Sequence, residues 1–357
     1  MTVIIAEVGV NHNGSEKLAF ELVDAAYDAG ADVVKFQTFK TENMVTVSAQ
    51  QAEYQIENTG QKESQLAMLK RLELSKDTYH KLTDYCSKIG IEFLSTPFDS
   101  ESLDFLVNQL GIKTLKLPSG EITNFPLALE YARTGCNMIV STGMSTLAEV
   151  EGVLGVIAFG YTADSNQKPG VKAFQNALMS EKGREALQNK VTLLHCTTEY
   201  PAPVNEINLL AMDTLKREFH LPVGYSDHSS GIVIPIAAVA RGAAVIEKHL
   251  TLDRNMEGPD HKASIEPNEL KDMVKAIRDI EVALGNGVKE PSESEIKNKG
   301  VARKSLVAKQ QIKAGDRFDT ENLGVKRPGN GISPAKYWSV LGGTAKRNYE
   351  KDEVIID

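Results

Sequence analysis

The chain reads as an α/β protein: a TIM (β/α)8 barrel followed by a small β-rich domain. About eight short apolar runs recur between residues 3 and 250, with helical or loop segments between them. That span is the usual length for such a barrel. An open doubly wound sheet is the alternative, but no GxGxxG follows the first run to favour it.

The first run, "VIIAEVG", has the apolar continuity of a buried parallel strand. "SEKLAFELVDAAYDAG" follows with Ser15 as a helix cap and Gly30 as its stop. "ADVVKFQTF" is the second strand, and the helical "KDTYHKLTDYCSKIG" leads into the third, "IEFLSTPF". "TLKLPSGE", "NMIVSTGM", "VTLLHCTTEYP", "LPVGYSDHS" and "AAVIEKHL" complete the eight. Residues 40–70 are rich in Gln, Glu and Thr and form either a lid or a surface excursion. Residues 160–190 are a second polar insertion with mixed helical character.

The helix "VKAIRDIEVALGNG" ends in glycines, which sets the barrel at residues 1–285. Residues 286–299, polar and carrying Pro291, read as a linker. Residues 300–357 show short alternating runs, "SLVAKQQI" and "EVIID", and turn signals at Ala314–Asp316 and Pro328–Gly331. A domain of about sixty residues has a thin core and is expected to lean on another surface.

Of the 357 residues, 41% are hydrophobic and 25% charged, as in an ordinary globular protein. A net charge of -8 argues against nucleic acid or an anionic membrane as the main partner. A cationic pocket for a small anion is still compatible with it. No run approaches the ~18 apolar residues of a membrane span. "MTVIIAEVGV" reads as a strand and not as a signal peptide. Cys86, Cys136 and Cys196 are odd in number and far apart, which suggests a reducing cytoplasm without disulfides.

Seven of the strand ends carry polar or charged groups: Glu7, Lys35 with Gln37, Thr96, Lys116 with Ser119 and Glu121, His195 with Thr198, Ser226 with His228, and Glu247 with His249. In a barrel these ends converge on one mouth, where barrel enzymes place their chemistry. Lys35 and Lys116 each follow apolar strand residues, and a lysine buried there needs an anion. With the hydroxyls of Ser119 and Ser226 they suit a phosphate or a phosphate-plus-carboxylate ligand. Internal pairing with Glu7, Glu121 or Glu247 is the alternative. His228 and His249 end adjacent strands ~4.8 Å apart, so both imidazoles can reach one divalent ion. The pair alone does not separate Mn from Zn or Co. Glu7, Glu121, Glu247 and Asp260 are left to bind hydroxyls, move protons or neutralise the lysines; Asp260 also reads as a turn residue.

These residues lie in "IAEVGVNHNG", "VVKFQTFK", "LSTPFD", "KLPSGEITN", "STGMS", "LHCTTEYPAP", "GYSDHS", "EKHLTLDRNMEGPDH" and "VKRPGNGI", in that order. The chain resembles the sialic acid synthase family, the phosphoenolpyruvate-dependent synthases of nonulosonic acids. The resemblance runs from Ile4 to the C-terminus, and residues 300–357 look like that family's antifreeze-like (SAF) domain.

The resemblance implies a condensation. C3 of phosphoenolpyruvate attacks the aldehyde of an N-acetylated mannose-type sugar, water adds at C2, and phosphate leaves with C–O cleavage. It implies Mn²⁺ or a similar divalent ion, Mg²⁺ or Co²⁺ included, and a domain-swapped homodimer. It assigns His228 and His249 to the metal, and Lys35, Thr96, Lys116, Ser119 and Ser226 to phosphoenolpyruvate. Gln37, Glu121 and Asp260 match sugar-contacting or catalytic positions, and Glu7 the catalytic glutamate of the first strand. Arg327 matches an arginine that the SAF domain delivers to the partner's site. Thr198 stands where N-acetylneuraminate synthases often carry Asn. "HCTTEYPAP" looks more like the branch making N,N'-diacetyllegionaminate from 2,4-diacetamido-2,4,6-trideoxymannose. N-acetylneuraminate from N-acetylmannosamine is the second reading and pseudaminate the third.

A metal-dependent aldolase using free pyruvate is a rival, but pyruvate gives the lysine pair no phosphate to bind. A non-catalytic carbohydrate- or ice-binding protein is the other rival. It predicts neither turnover nor a need for metal.

Overall fold

The computed structural model describes residues 1–60, 62–164 and 166–356. It divides into two compact units, Met1–Gly285 and Asn286–Asp357.

The first unit is the expected barrel. Its strands are β1 (Val3–Gly9), β2 (Val33–Thr38), β3 (Glu92–Pro97), β4 (Thr114–Leu117), β5 (Asn137–Ser141), β6 (Val191–Cys196), β7 (Val223–Asp227) and β8 (Val245–His249). All paired neighbours are parallel, and β1 pairs with β8 as well as with β2. The order is β3-β2-β1-β8-β7-β6-β5-β4. Strands β3 and β4 lie side by side, but among the described residues no ladder hydrogen bonds join them. At that seam the buried Tyr131 hydroxyl donates towards the carbonyls of Pro97, at the end of β3, and Lys116, in β4.

Each strand is followed by a helical segment, which covers its outer face. The first, Glu16–Asp28, is capped by Ser15, whose side chain accepts from the Leu18 N–H, and Gly30 follows it at φ +83°. Leu22, Val23 and Ala26 of this helix pack in the main core with Ile4, Val34, Tyr225 and Ile246 from the strands.

Side chains alternate across each strand, so every second residue faces the lumen. One lumen layer is apolar and contains Ile5, Val33, Leu94, Ile139, Leu194 and Val245. Gly224 belongs to this layer. A Cβ there would meet Leu194 Cδ2 at 2.7 Å and the Val245 carbonyl at 2.4 Å, so the close strand approach requires glycine. Two residues further along, the same alternation turns Glu7, Lys35, Thr96, Cys196, Ser226 and Glu247 into the next layer. The apolar plug is therefore the floor on which the polar residues stand.

The 40–70 excursion holds helices Thr41–Met44, Glu53–Thr59 and Gln65–Leu72. The Asn58 amide donates to the Pro259 carbonyl at 2.7 Å, which ties the excursion to the loop carrying Asp260. The 160–190 insertion forms helices Val171–Met179 and Glu181–Lys190.

In the second unit, the segment read as a linker contains a helix, Glu293–Ala302, capped by Ser292 with Glu295 in a reciprocal box. That four-residue motif outweighs the polar composition. Strands β9 (Ser305–Ala308) and β10 (Leu323–Lys326) pair antiparallel around a small core of Leu306, Ile312, Phe318, Leu323, Tyr349 and Ile355. The "EVIID" run contributes a single bridge, Val354 to Val307. Its last residue, Asp357, lies outside the described residues.

Candidate active site at the barrel mouth

Glu247 is the hub of the polar layer. Its carboxylate accepts from Lys116 Nζ at 2.8 and 2.9 Å and from Ser226 Oγ at 2.8 Å. Lys35 Nζ lies 3.6 Å from Glu247 and 2.6 Å from Glu7, and it donates to Thr96 Oγ1 at 3.4 Å. Gln37 donates to the other Glu7 oxygen at 3.3 Å. Both lysines and both glutamates are buried. The internal pairing that the sequence left open is therefore present, with Glu7 and Glu247 as the anions.

The carboxyls differ in character. At Glu7, Glu247 and Asp260 burial works against the charged form. At Glu247 the two lysines outweigh burial and hold it well below the usual carboxylate range. Glu7 stays raised, since burial exceeds the pull of Lys35 and Glu247 repels it. Asp260 is pushed up to about 7 by burial and by the nearby Glu7 charge. Among the described residues no lysine or arginine pairs with Asp260. Glu121 stands apart, half-buried, and accepts from the Asn124 amide at 2.7 Å.

His228 and His249 face each other with ring centroids 5.5 Å apart. Burial lowers both, His228 to about 4, so both rings are neutral near pH 7. The His228 Nδ1–H donates to the Thr197 carbonyl at 2.6 Å, which leaves Nε2 as an acceptor. Among the described residues, Nδ1 of His249 is buried without a hydrogen-bond partner, and Asp260 Oδ2 lies 3.9 Å from it. Two neutral imidazoles, one with an orphaned nitrogen, fit a divalent cation whose other positions stay open. Among the described residues no group of three or more His, Cys, Asp or Glu forms a closed metal site.

Ser119 and Thr198 meet at a third point. The Gly143 N–H donates to Ser119 Oγ at 3.0 Å, and Ser119 Oγ lies 3.1 Å from Cys196 Sγ. A Cβ on Gly143 would come within 2.4 Å of Thr198 Oγ1. That hydroxyl is itself buried and, among the described residues, unpartnered; Thr198 lines a cavity of about 620 Å³ with Thr142, Met144, His195 and Asn208. Arg327 belongs to the other unit, where it is exposed and donates to the Ala302 carbonyl at 3.0 Å.

The sequence placed Glu247 at the mouth as one of four carboxylates, without marking it as the hub. The site also contains residues that the sequence reading did not assign to it. Tyr200 packs against His228 with ring centroids 4.1 Å apart and the planes tilted by 32°, and meets His249 edge-on at 5.6 Å. Its only signal is its place two residues after Thr198. Gly143 and Cys196 carry no individual signal at all.

The sequence pattern of the NeuB family matches residues 22–289, and that of the SAF domain matches residues 303–356. The N,N'-diacetyllegionaminic acid synthase of Campylobacter jejuni is 51% identical over 354 residues, covering 99% of this chain and 98% of that one. The N,N'-diacetyllegionaminic acid synthase of Legionella pneumophila is 44% identical, covering 99% and 93%. Among solved structures, the N-acetylneuraminic acid (sialic acid) synthetase from Leptospira borgpetersenii, in complex with citrate, is 34% identical. It matches with a TM-score of 0.65, covering 83% of this chain and 90% of that one. With a mouth of paired lysines and glutamates on a (β/α)8 floor and a SAF match following it in sequence, the chain belongs to the NeuB family.

Proposed function

We propose that this protein condenses phosphoenolpyruvate with open-chain 2,4-diacetamido-2,4,6-trideoxymannose to give N,N'-diacetyllegionaminate and phosphate. The observation that carries this is the Lys35–Glu247–Lys116 bridge. It presents two buried ammonium groups to an incoming anion, beside the hydroxyls of Thr96 and Ser226. The choice of sugar follows the 51% identity to the Campylobacter jejuni enzyme. N-acetylmannosamine is the second reading, supported by the 34% identity to the Leptospira borgpetersenii protein.

In the reaction, C3 of phosphoenolpyruvate bonds to the aldehyde carbon, water supplies oxygen to C2, and the C2–O bond to phosphate breaks. Lys35 and Lys116 bind the phosphate and carboxylate, with Thr96, Ser119 and Ser226 as hydroxyl donors. Glu247, held ionised between the lysines, aligns them and carries no proton. Glu7 and Asp260 are the carboxyls suited to moving protons, because burial keeps both above the usual range. Gln37, Glu121 and Thr198 line the sugar side. A divalent cation held by His228 and His249, Mn²⁺ foremost, would polarise the aldehyde. The three cysteines, all unpaired, suit a cytoplasmic setting.

The test is phosphate release from phosphoenolpyruvate with Mn²⁺, comparing the two sugars and identifying products by mass. Preference for the diacetamido sugar supports the proposal. Preference for N-acetylmannosamine transfers it to the second reading, and no release with either sugar overturns it. Arg327 is proposed to act on the partner's site in a homodimer. Mixing R327A with K116A protein should then restore part of the activity through heterodimers. No rescue with heterodimers present removes that role.

A further inference from the structure

Behind the histidine pair lies a second ion pair that the proposed chemistry does not use. Asp227 and Lys248 are Cα partners on the last paired rung of β7 and β8. Neither side chain is exposed, and Lys248 Nζ lies 2.6 Å from Asp227 Oδ2. Alternation turns both away from the lumen, to the face where Tyr225 and Ile246 pack in the main core. Each is followed in sequence by one of the two histidines.

The bonding reaches further than the pair. The Lys248 ammonium also donates to the Ser229 carbonyl, on the far side of His228. Asp227 Oδ1 accepts from the Ser229 N–H at 3.0 Å and from the Tyr225 hydroxyl at 3.1 Å. One side chain from β8 therefore grips the residues on both sides of His228, and its own backbone runs directly into His249. A buried pair adds little net stability over apolar residues of equal size, so stability alone is a weak reason for it. A fixed spacing between two imidazoles is a better one.

We infer that the buried Asp227–Lys248 pair is a positioning device that holds His228 and His249 at the separation a divalent cation needs. This rests on the proposed metal-binding role of the two histidines. The residues act through the histidines and touch no substrate.

The test is Mn²⁺ affinity, measured by calorimetric titration of the full chain without substrates and paired with thermal unfolding. D227N/K248M removes both charges without stranding either. The expected result is a folded protein that binds Mn²⁺ about 10- to 100-fold more weakly, the range found when partners of metal ligands are lost. Unchanged Mn²⁺ affinity in the folded double variant overturns the inference. If the double variant does not fold, D227N alone decides. It keeps the shape and an acceptor for Lys248, and about tenfold weaker binding is expected, with unchanged affinity again overturning the inference. H228A/H249A separates the two claims. If it binds Mn²⁺ like the native protein, the metal reading fails, and the inference with it.

Discussion

Replacing Glu247 with Gln tests the hub of the mouth directly. Lys116 loses the only carboxylate that bonds it among the described residues, while Lys35 keeps Glu7 at 2.6 Å. Removing one partner of a buried pair costs about 3–5 kcal/mol, because a charge is left buried and uncompensated. For a domain of this size that lowers the melting temperature by roughly 10 °C. The same vacancy suits an added anion. Inorganic phosphate should therefore raise the melting temperature of E247Q by more than it raises that of the native protein, recovering part of the loss by mass action. The assay is thermal unfolding of both proteins across a phosphate series. Two results would refute the reasoning: E247Q melting with the native protein in the absence of phosphate, or equal phosphate shifts in both.

Two further outcomes are expected. T198N should raise the kcat/KM ratio for N-acetylmannosamine over the diacetamido sugar by about tenfold or more, in line with what one pocket contact is worth. An unchanged ratio in competition assays removes Thr198 from sugar choice. His12 is buried, and burial depresses its ring to about 4. The unfolded chain then binds the extra proton first, so His12 favours folding above its unfolded pKa of about 6.5. That contribution, ~3 kcal/mol at most, should be lost as pH falls from 6.5 towards 4. Urea unfolding of native and H12Q proteins at both pH values reads it, and parallel slopes would contradict it.

The barrel was legible because its strands are short apolar runs, and period-2 alternation carries each run into the lumen. Lys35, Lys116, Ser226, His228 and His249 could be picked out because charge at the end of an apolar strand is costly without a purpose. What stayed hidden was pairing. The sequence offers Glu7, Glu121 and Glu247 equally to the lysines, and only the ring geometry selects Glu7 and Glu247. Asp227 and Lys248 look like the other strand-end charges, yet alternation turns them to the opposite face. The helix at Glu293–Ala302 was hidden by its polar composition, although its capping box stood in the letters "SESE".

The seam between β3 and β4 bears on how the free protein moves. Thr96 stands on one side of it and Lys116 on the other, and Tyr131 bridges the two backbones. An anion bound to both residues would act as a clasp across the seam where, among the described residues, the ring is not stitched by its own backbone. Substrate would then complete the hoop as well as fill it. Amide protons of β4 should exchange fastest among the strands in the free protein and slow most when phosphoenolpyruvate is added. Uniform protection around the ring in both states would show that the hoop is already closed.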